Sequence, residues 1–195
     1  MIKGSNNRKA DHPVHPLFID RWSPRAMSGE EIPEAELLTL FEAARWAPSA
    51  YNNQPWRILY ARRGTAAWPL FFDLLVEPNK VWAQQAAALL LFISKSTLDF
   101  NGQPYPTHSF DTGAAWQNLA LQGFLNGYVV HGMMGFDYER SRTALQIPEE
   151  FRVEAMAAVG RPGSAELLPE ALRQREVPGD RRSLSEIVCE GEFTF

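Results

Sequence analysis

Residues 45–57, with the sequence RWAPSAYNNQPWR, are harder to explain by packing alone than any other stretch of the chain. An apolar helical pattern stops at Pro48, and the small and amide residues Ser49, Asn52, Asn53 and Gln54 follow it. A loop that only connects a helix to a strand needs a few turn residues. These side chains instead offer both hydrogen-bond donors and acceptors. Such a loop suits a flat heteroaromatic ligand edged with carbonyls and ring nitrogens.

A second candidate site precedes this loop, where the sequence is Arg-Trp-Ser-Pro-Arg at residues 21–25. In an extended segment, alternate side chains point to the same side, so Arg21, Ser23 and Arg25 would act together. Two guanidinium forks and a hydroxyl suit a phosphate monoester with two negative charges. The alternative is a solvated surface segment before a helix.

A third candidate is the glycine-rich segment 127–137, in which Gly127, Gly132 and Gly135 would let the backbone pass close to a neighbour or a ligand. The alternative is a tight turn from a strand to a helix. His131 lies in the same segment. Since no second histidine stands at a metal-binding spacing, we expect a structural role for it.

Two weaker signals complete the set of candidate residues. Asn79 follows a proline, and such an asparagine can either contact a ligand or organise its own turn. Arg181 and Arg182 precede an apolar stretch near the C-terminus, where a basic pair is often only solvated.

The composition limits the class of protein. With 195 residues, 45% of them hydrophobic, the chain is expected to form one domain. A net charge of −4 without a basic stripe argues against a nucleic-acid partner. Cys189 is the single cysteine, and the longest apolar run, residues 86–93, is far too short for a membrane helix. No secretory signal is visible, so we expect a cytoplasmic protein without a membrane association.

Several catalytic and binding motifs are absent from the sequence. There is no G-x-G-x-x-G fingerprint and no G-x-x-x-x-G-K-[ST] loop. The sequence also lacks H-E-x-x-H, paired C-x-x-C and G-x-S-x-G. We therefore predict no metal site and no hydrolytic side-chain nucleophile.

Periodicity predicts an α+β domain with one sheet packed against helices. The predicted helices cover residues 33–47, about 65–75, 80–86, 111–126 and 137–146, the last of them capped by Asp137. The predicted strands cover 56–61, 88–94, 128–133 and 153–159, and the continuous apolar run of strand 88–94 implies burial on both faces. A polar N-terminal arm is expected over 1–16 and a C-terminal arm over 163–195, with a short strand or helix at 184–188. Since helix 111–126 is apolar around most of its circumference, a homodimer is expected.

In their order and spacing, these patches resemble the FMN-dependent nitroreductase family. The motif A-P-S-x-x-N-x-Q-P-W follows an amphipathic helix here, and R-x-S-x-R stands about two dozen residues before it. The resemblance implies a central, mostly antiparallel sheet flanked by helices, in an intertwined homodimer that exchanges C-terminal arms. It covers most of residues 21–188.

The resemblance also implies the cofactor-binding residues. Phosphate contacts are implied for the arginine-serine segment at residues 21–25 and for one of the two C-terminal arginines. Contacts to the ring and the ribityl chain are implied for the loop 48–54 and for Asn79. Main-chain contacts to flavin N5 are implied at Met134 and Gly135. The full set is Arg21, Trp22, Ser23, Arg25, Pro48, Ser49, Asn52, Gln54, Asn79, Met134, Gly135, Arg181 and Arg182. Trp82 stands where some relatives carry a lysine, and Ser183 where a proline is frequent.

The implied activity is ping-pong hydride transfer from NAD(P)H through flavin N5 to a small electron-poor acceptor, such as a nitroaromatic, a quinone or an enone. Because the flavin carries the chemistry, no catalytic side chain is required. Two alternatives remain open. One is a flavin-binding sensor or storage module without turnover. The other is a further reaction of the same fold, such as reductive dehalogenation.

Overall fold

A computed structural model describes residues 2–195, so the first residue of the predicted arm 1–16 lies outside the described residues. The described residues form two units. One unit contains residues 23–176, and the other contains residues 2–22 together with residues 177–195. The single domain expected from the chain length stays a prediction.

Between residues 34 and 160 the regular elements follow the order expected from the sequence, whereas the short helices Pro16–Asp20 and Glu170–Arg173 were not predicted. The helices are α1 (Pro16–Asp20), α2 (Glu34–Arg45), α3 (Trp68–Asp73), α4 (Glu77–Ala83), α5 (His108–Leu125), α6 (Tyr138–Ala144) and α7 (Glu170–Arg173). The strands are β1 (Trp56–Arg62), β2 (Ala88–Lys95), β3 (Val129–Met133) and β4 (Phe151–Gly160). Short 3-10 helices cover Gly4–Asn6, Ala50–Asn52, Ala165–Leu167 and Leu184–Glu186.

The four strands form one antiparallel sheet in the order β1-β2-β4-β3. Strand β2 lies between β1 and β4, and its register with β4 shifts at Phe92/Ile93. All residues of β2 from Ala88 to Ser94 are buried, as its continuous apolar run predicted. The predicted fold class, an α+β fold with an antiparallel sheet flanked by helices, is confirmed.

The two faces of β2 contribute to two separate apolar cores. Leu89 and Leu91 belong to the core that contains residues of α3 and α4. Leu90 and Phe92 belong to the core that contains residues of α2 and α5. Because strand side chains alternate between faces, one uninterrupted apolar sequence supplies both layers.

Helix α5 packs against α2 and the sheet and begins at His108, three residues before the predicted start at Asp111. The earlier start follows from the hydrogen bond of 2.9 Å that the Asp111 N–H donates to the Thr107 carbonyl. Gly123 lets α5 approach β3 closely. A Cβ atom on this residue would lie 2.5 Å from Val130 Cγ2.

The remaining differences from the predicted elements are small. Helix α3 is shorter than the predicted 65–75, and the predicted element at 184–188 is the 3-10 helix Leu184–Glu186. Asp137 caps α6 as predicted, because its Oδ1 accepts the Arg140 N–H at 2.9 Å. Among residues 2–195, no helix has the length and apolar character that crossing a membrane would require.

Candidate functional site

The loop at residues 48–54 uses its polar side chains partly to shape its own backbone. Ser49 Oγ accepts the Gln54 N–H at 3.0 Å, and Gln54 Nε2 donates to the Asn52 carbonyl at 3.0 Å. Tyr51, Asn52 and Gln54 have φ values of 54°, 52° and 48°, which lie in the left-handed region that residues other than glycine rarely adopt. Asn52 and Pro48 are exposed. The loop therefore has a defined shape that presents small and amide groups to solvent.

The start of α5 holds this loop in place. The buried Asp111 accepts the Ala50 N–H at 3.0 Å through Oδ2, and the same oxygen accepts the Tyr105 hydroxyl. The Tyr105 hydroxyl also lies 3.2 Å from the Ala50 carbonyl. Burial, together with the Asp111 carboxylate, raises the pKa of Tyr105 to about 12. Neither Tyr105 nor Asp111 was predicted as a site residue. Both contact Ala50, which lies 55 or more residues away from each of them in the chain.

The structure brings Asn79 together with the glycine-rich segment. Asn79 Nδ2 donates to the Gly135 carbonyl at 2.9 Å. A Cβ atom on Gly135 would lie 2.7 Å from Asn79 Nδ2 and 3.0 Å from Val76 Cγ2, so this position accepts only glycine without displacement. The neighbouring Met134 is 84% exposed. A ligand could therefore reach the main chain on the solvent side of this turn.

A cavity of about 450 Å³ lies beside Met134 in the same unit. Thr112 and Trp116, one turn apart on α5, line it opposite the end of β3. Thr112 Oγ1 and Trp116 Nε1 are buried and have no hydrogen-bond partner within residues 2–195. Gly132 allows the Trp116 ring to approach, since a Cβ there would lie 3.0 Å from Trp116 Cζ2. A cavity of this size with an aromatic side chain in its lining fits a flat ring such as the isoalloxazine of FMN.

A polar cluster on the rim of this cavity was not predicted. Glu154, which lines the cavity, accepts hydrogen bonds from the buried Ser94 at 2.5 Å and from Ser109 at 2.6 Å. Ser94 Oγ also lies 2.6 Å from His108 Nδ1. Arg152 Nε is 3.7 Å from the second carboxylate oxygen of Glu154. The residues of this cluster come from β2, β4 and α5, so no local sequence motif predicts the cluster.

His131 makes its contacts within the protein. Its Nδ1 lies 2.8 Å from the Pro24 carbonyl, and its ring lies 4.6 Å from the ring of Trp82. Trp82 is buried, with 2% of its surface exposed. No group of three or more potential metal ligands occurs among residues 2–195. These contacts agree with the structural role expected for His131.

The predicted phosphate-binding residues are divided between the two units. Ser23 and Arg25 belong to the unit 23–176. Arg25 has a carboxylate partner there, because its Nη1 lies 3.9 Å from Oε2 of the buried Glu176. Glu176 Oε1 also accepts the main-chain N–H groups of Arg25, at 2.6 Å, and Ala26, at 2.8 Å. Arg25 therefore has a structural function, and its phosphate contact stays a prediction.

Arg21, Trp22, Arg181 and Arg182 belong to the other unit. Trp22 is buried and donates from Nε1 to the Ile2 carbonyl at 2.7 Å. Burial lowers the pKa of Arg21, and the positive charges of Arg8 and Arg181 lower it further. Three arginines therefore lie close enough to repel each other, which is the electrostatic environment of an anion site.

Comparison with known proteins gives a consistent family assignment. Residues 19–78 match the model of the nitroreductase family. The solved structure of an oxidoreductase containing FMN is 47% identical to this chain, covers 99% of both chains and superposes with a TM-score of 0.93. An uncharacterized 15.4 kDa protein of Mycolicibacterium smegmatis is 30% identical over 145 residues, which are 70% of this chain and 97% of that protein. A protein of Thermus thermophilus named NADH dehydrogenase is 28% identical over 172 residues, which are 74% of this chain and 84% of that protein.

By these comparisons the chain is an oxidoreductase, and its fold is of the α+β class, built around one antiparallel sheet. Within that class, the chain belongs to the nitroreductase family.

Proposed function

We propose that this protein is an FMN-dependent oxidoreductase that transfers reducing equivalents from NAD(P)H to a small electron-poor acceptor in ping-pong order. A nitroaromatic, a quinone or an enone would serve as the acceptor. When bound, FMN would supply the hydride-accepting and hydride-donating atom. The observation that carries the proposal is the cavity beside Met134, in a chain that is 47% identical to a solved oxidoreductase containing FMN.

The residues of the chain would bind and orient the ring. The main chain at Met134 and Gly135 would approach the reactive nitrogen of the ring, and Trp116 would line its cavity. Asn79 would hold this turn through its bond to the Gly135 carbonyl. Ser49, Asn52 and Gln54 would contact the ring and the ribityl chain, with Pro48 against the ring face. Phosphate contacts are proposed for Arg21, Ser23, Arg25 and either Arg181 or Arg182, and Trp22 is proposed as a further cofactor-binding residue.

We further propose a cytoplasmic homodimer in which the loop 48–54 of one protomer serves the flavin of its partner. Large apolar side chains support a dimer, because Trp46, Phe110 and Leu125 are 73%, 80% and 63% exposed in the unit 23–176. An exchange of C-terminal arms is supported by the exposure of Phe193, which is 84%. The name of the Thermus thermophilus relative supports a nicotinamide donor.

The visible spectrum of the purified protein tests the proposal. We expect a yellow protein, or a colourless one that becomes yellow with added FMN, and bleaching by NADH or NADPH without oxygen. Addition of a quinone should restore the colour. A protein that takes up no FMN would refute the proposal, and a yellow protein that neither nicotinamide bleaches would favour a storage or sensor function.

The variant Arg21→Ala tests the phosphate contact. Charge-assisted hydrogen bonds are worth roughly 1.5–3 kcal/mol, so FMN affinity should fall by at least about tenfold. Arg173→Ala is the matched control, because Arg173 is an exposed arginine paired with Glu170 on α7. Wild-type affinity in Arg21→Ala would contradict the assignment.

Reductive dehalogenation of an amino acid is not favoured by residues 95–110. A lid for such a substrate would need a tyrosine and a lysine that reach the ligand. Tyr105 is buried against Asp111, and Lys95 pairs with Asp99. Both candidate side chains are therefore occupied within the protein.

A further inference from the structure

Arg8 belongs to the unit formed by residues 2–22 and 177–195. Its Nη1 donates to the carbonyls of Ile19 and Arg21, both at 3.0 Å, and its Nε donates to the Gly179 carbonyl at 2.6 Å. One guanidinium thus joins the segment that carries Arg21 to the segment that precedes Arg181.

Close packing around Arg8 restricts the positions of the two segments that it joins. Gly4 is buried beside it, and a Cβ atom there would lie 1.9 Å from the Ile19 carbonyl oxygen and 2.9 Å from Arg8 Nη1. Arg181 Nη1 shares the Gly179 carbonyl with Arg8, at 3.3 Å. The close packing fixes where the backbone of the two segments lies.

A cavity of about 510 Å³ adjoins Arg8 in this unit. The charged side chains that line it are Arg8, Lys9, Asp11, Asp180, Arg181 and Arg182. Four cations against two carboxylates give this lining a formal charge of +2, whereas the whole chain carries −4. The pKa of Arg8 is lowered by burial and by the charge of Arg181, although Asp180 opposes the effect. An anion with two charges would offset this local excess.

We propose that Arg8 is a positioning residue that holds Arg21 and Arg181 for the phosphate group of a phosphomonoester cofactor. The inference rests on the proposed function, since FMN is the phosphomonoester concerned. Arg8 acts through its bonds to main-chain carbonyls, which use its Nε and Nη1 hydrogens. A lysine at this position would keep the charge but could not span three carbonyls, because an ammonium on a flexible stem lacks the planar fork.

The test compares FMN with riboflavin, which lacks the phosphate. Dissociation constants of the flavin-free protein for both ligands are measured by flavin fluorescence in the wild type, Arg8→Lys and Lys3→Ala. In Arg8→Lys we expect FMN affinity to fall at least tenfold and riboflavin affinity to stay within twofold. Lys3→Ala removes a cation of the same unit that pairs with Asp20, at 3.6 Å, and should keep the wild-type ratio.

The other possible results separate a failure of the role of Arg8 from a failure of the proposed function. An unchanged ratio in Arg8→Lys, an equal loss of both ligands, or an equal fall of the ratio in Lys3→Ala would overturn the role of Arg8. A wild-type protein that binds neither flavin would overturn the proposed function itself.

Hydrogen–deuterium exchange of the wild type gives a second test that does not depend on the folding of a variant. FMN should slow exchange in residues 4–8, 17–21 and 177–182, and riboflavin should not. Equal protection by both ligands, or by neither, would overturn the proposal.

Discussion

Asn79 Nδ2 donates to the carbonyl oxygen of Gly135 across 2.9 Å, although the two residues are 56 positions apart in the chain. This bond joins two segments that the sequence analysis had assigned separately to the cofactor site. It ties the N-terminal part of α4 to the turn after β3. The position of the Met134–Gly135 main chain therefore depends on a side chain from another element.

Removal of this amide should loosen the turn. In Asn79→Ala we expect a loss of about 1 kcal/mol of unfolding free energy, because the part-buried Gly135 carbonyl loses its donor. FMN affinity should fall as well. Urea denaturation and flavin titration measure the two effects. Asn126→Ala, at an exposed amide at the end of α5, is the control and should change neither the unfolding free energy nor FMN affinity by much. Equal effects in both variants would contradict the prediction.

Gly135→Ala should be more damaging than an ordinary glycine substitution. The new Cβ would meet Asn79 Nδ2 at 2.7 Å, and overpacking of this kind costs about 1–3 kcal/mol. Gly113→Ala is the matched control for stability, because Gly113 lies within α5 and a Cβ there meets nothing within 4 Å. In a helix, that change should stabilise by about 0.5–1 kcal/mol. Thermal unfolding of both variants checks the opposite signs, and similar shifts would refute the steric argument.

Thr112→Val should stabilise the flavin-free protein. The Thr112 hydroxyl is buried without a partner among the described residues, so its replacement by a methyl group removes a desolvation cost of about 1 kcal/mol. Melting temperatures of the flavin-free proteins measure this effect. Thr39→Val, on the exposed side of α2, should stay within about 0.5 kcal/mol. A melting temperature lower than that of the wild type would show that the hydroxyl is satisfied.

Tyr105→Phe should change the dependence of stability on alkaline pH. The pKa of Tyr105 is about 12 in the folded protein and about 10 when unfolded, so the folded state holds this proton more tightly. The stability from this shift is complete below pH ~10 and is lost as pH rises towards ~12. In the variant this decline should disappear. Below pH ~10 the variant should be less stable by about 1–3 kcal/mol, because the buried Asp111 loses a donor.

Urea denaturation from pH 7 to pH 11 measures the difference between the two proteins, which should narrow above pH ~10. Tyr138→Phe, at a partly exposed tyrosine on α6, is the control. A difference that stays constant over the whole range would contradict the shifted pKa.

The sequence predicted those parts of the fold that local patterns determine. The burial of β2 on both faces and the Asp137 cap of α6 depend on neighbouring residues, and both were found where predicted. The contact between Ser94 and Glu154 joins residues 60 positions apart. The contact between Arg25 and Glu176 spans 151 positions. No periodicity or motif encodes such pairs, because they form only when distant elements pack together.

The backbone of residues 51–54 has a consequence for the rate at which a ligand can bind. Tyr51, Asn52 and Gln54 all adopt positive φ angles, and hydrogen bonds that Asp111 and Ser49 accept from the loop backbone hold this shape. The conformational entropy of the loop is therefore lost during folding and not during association. Capture of a ligand at this surface should be governed by diffusion and orientation, without a slow ordering step.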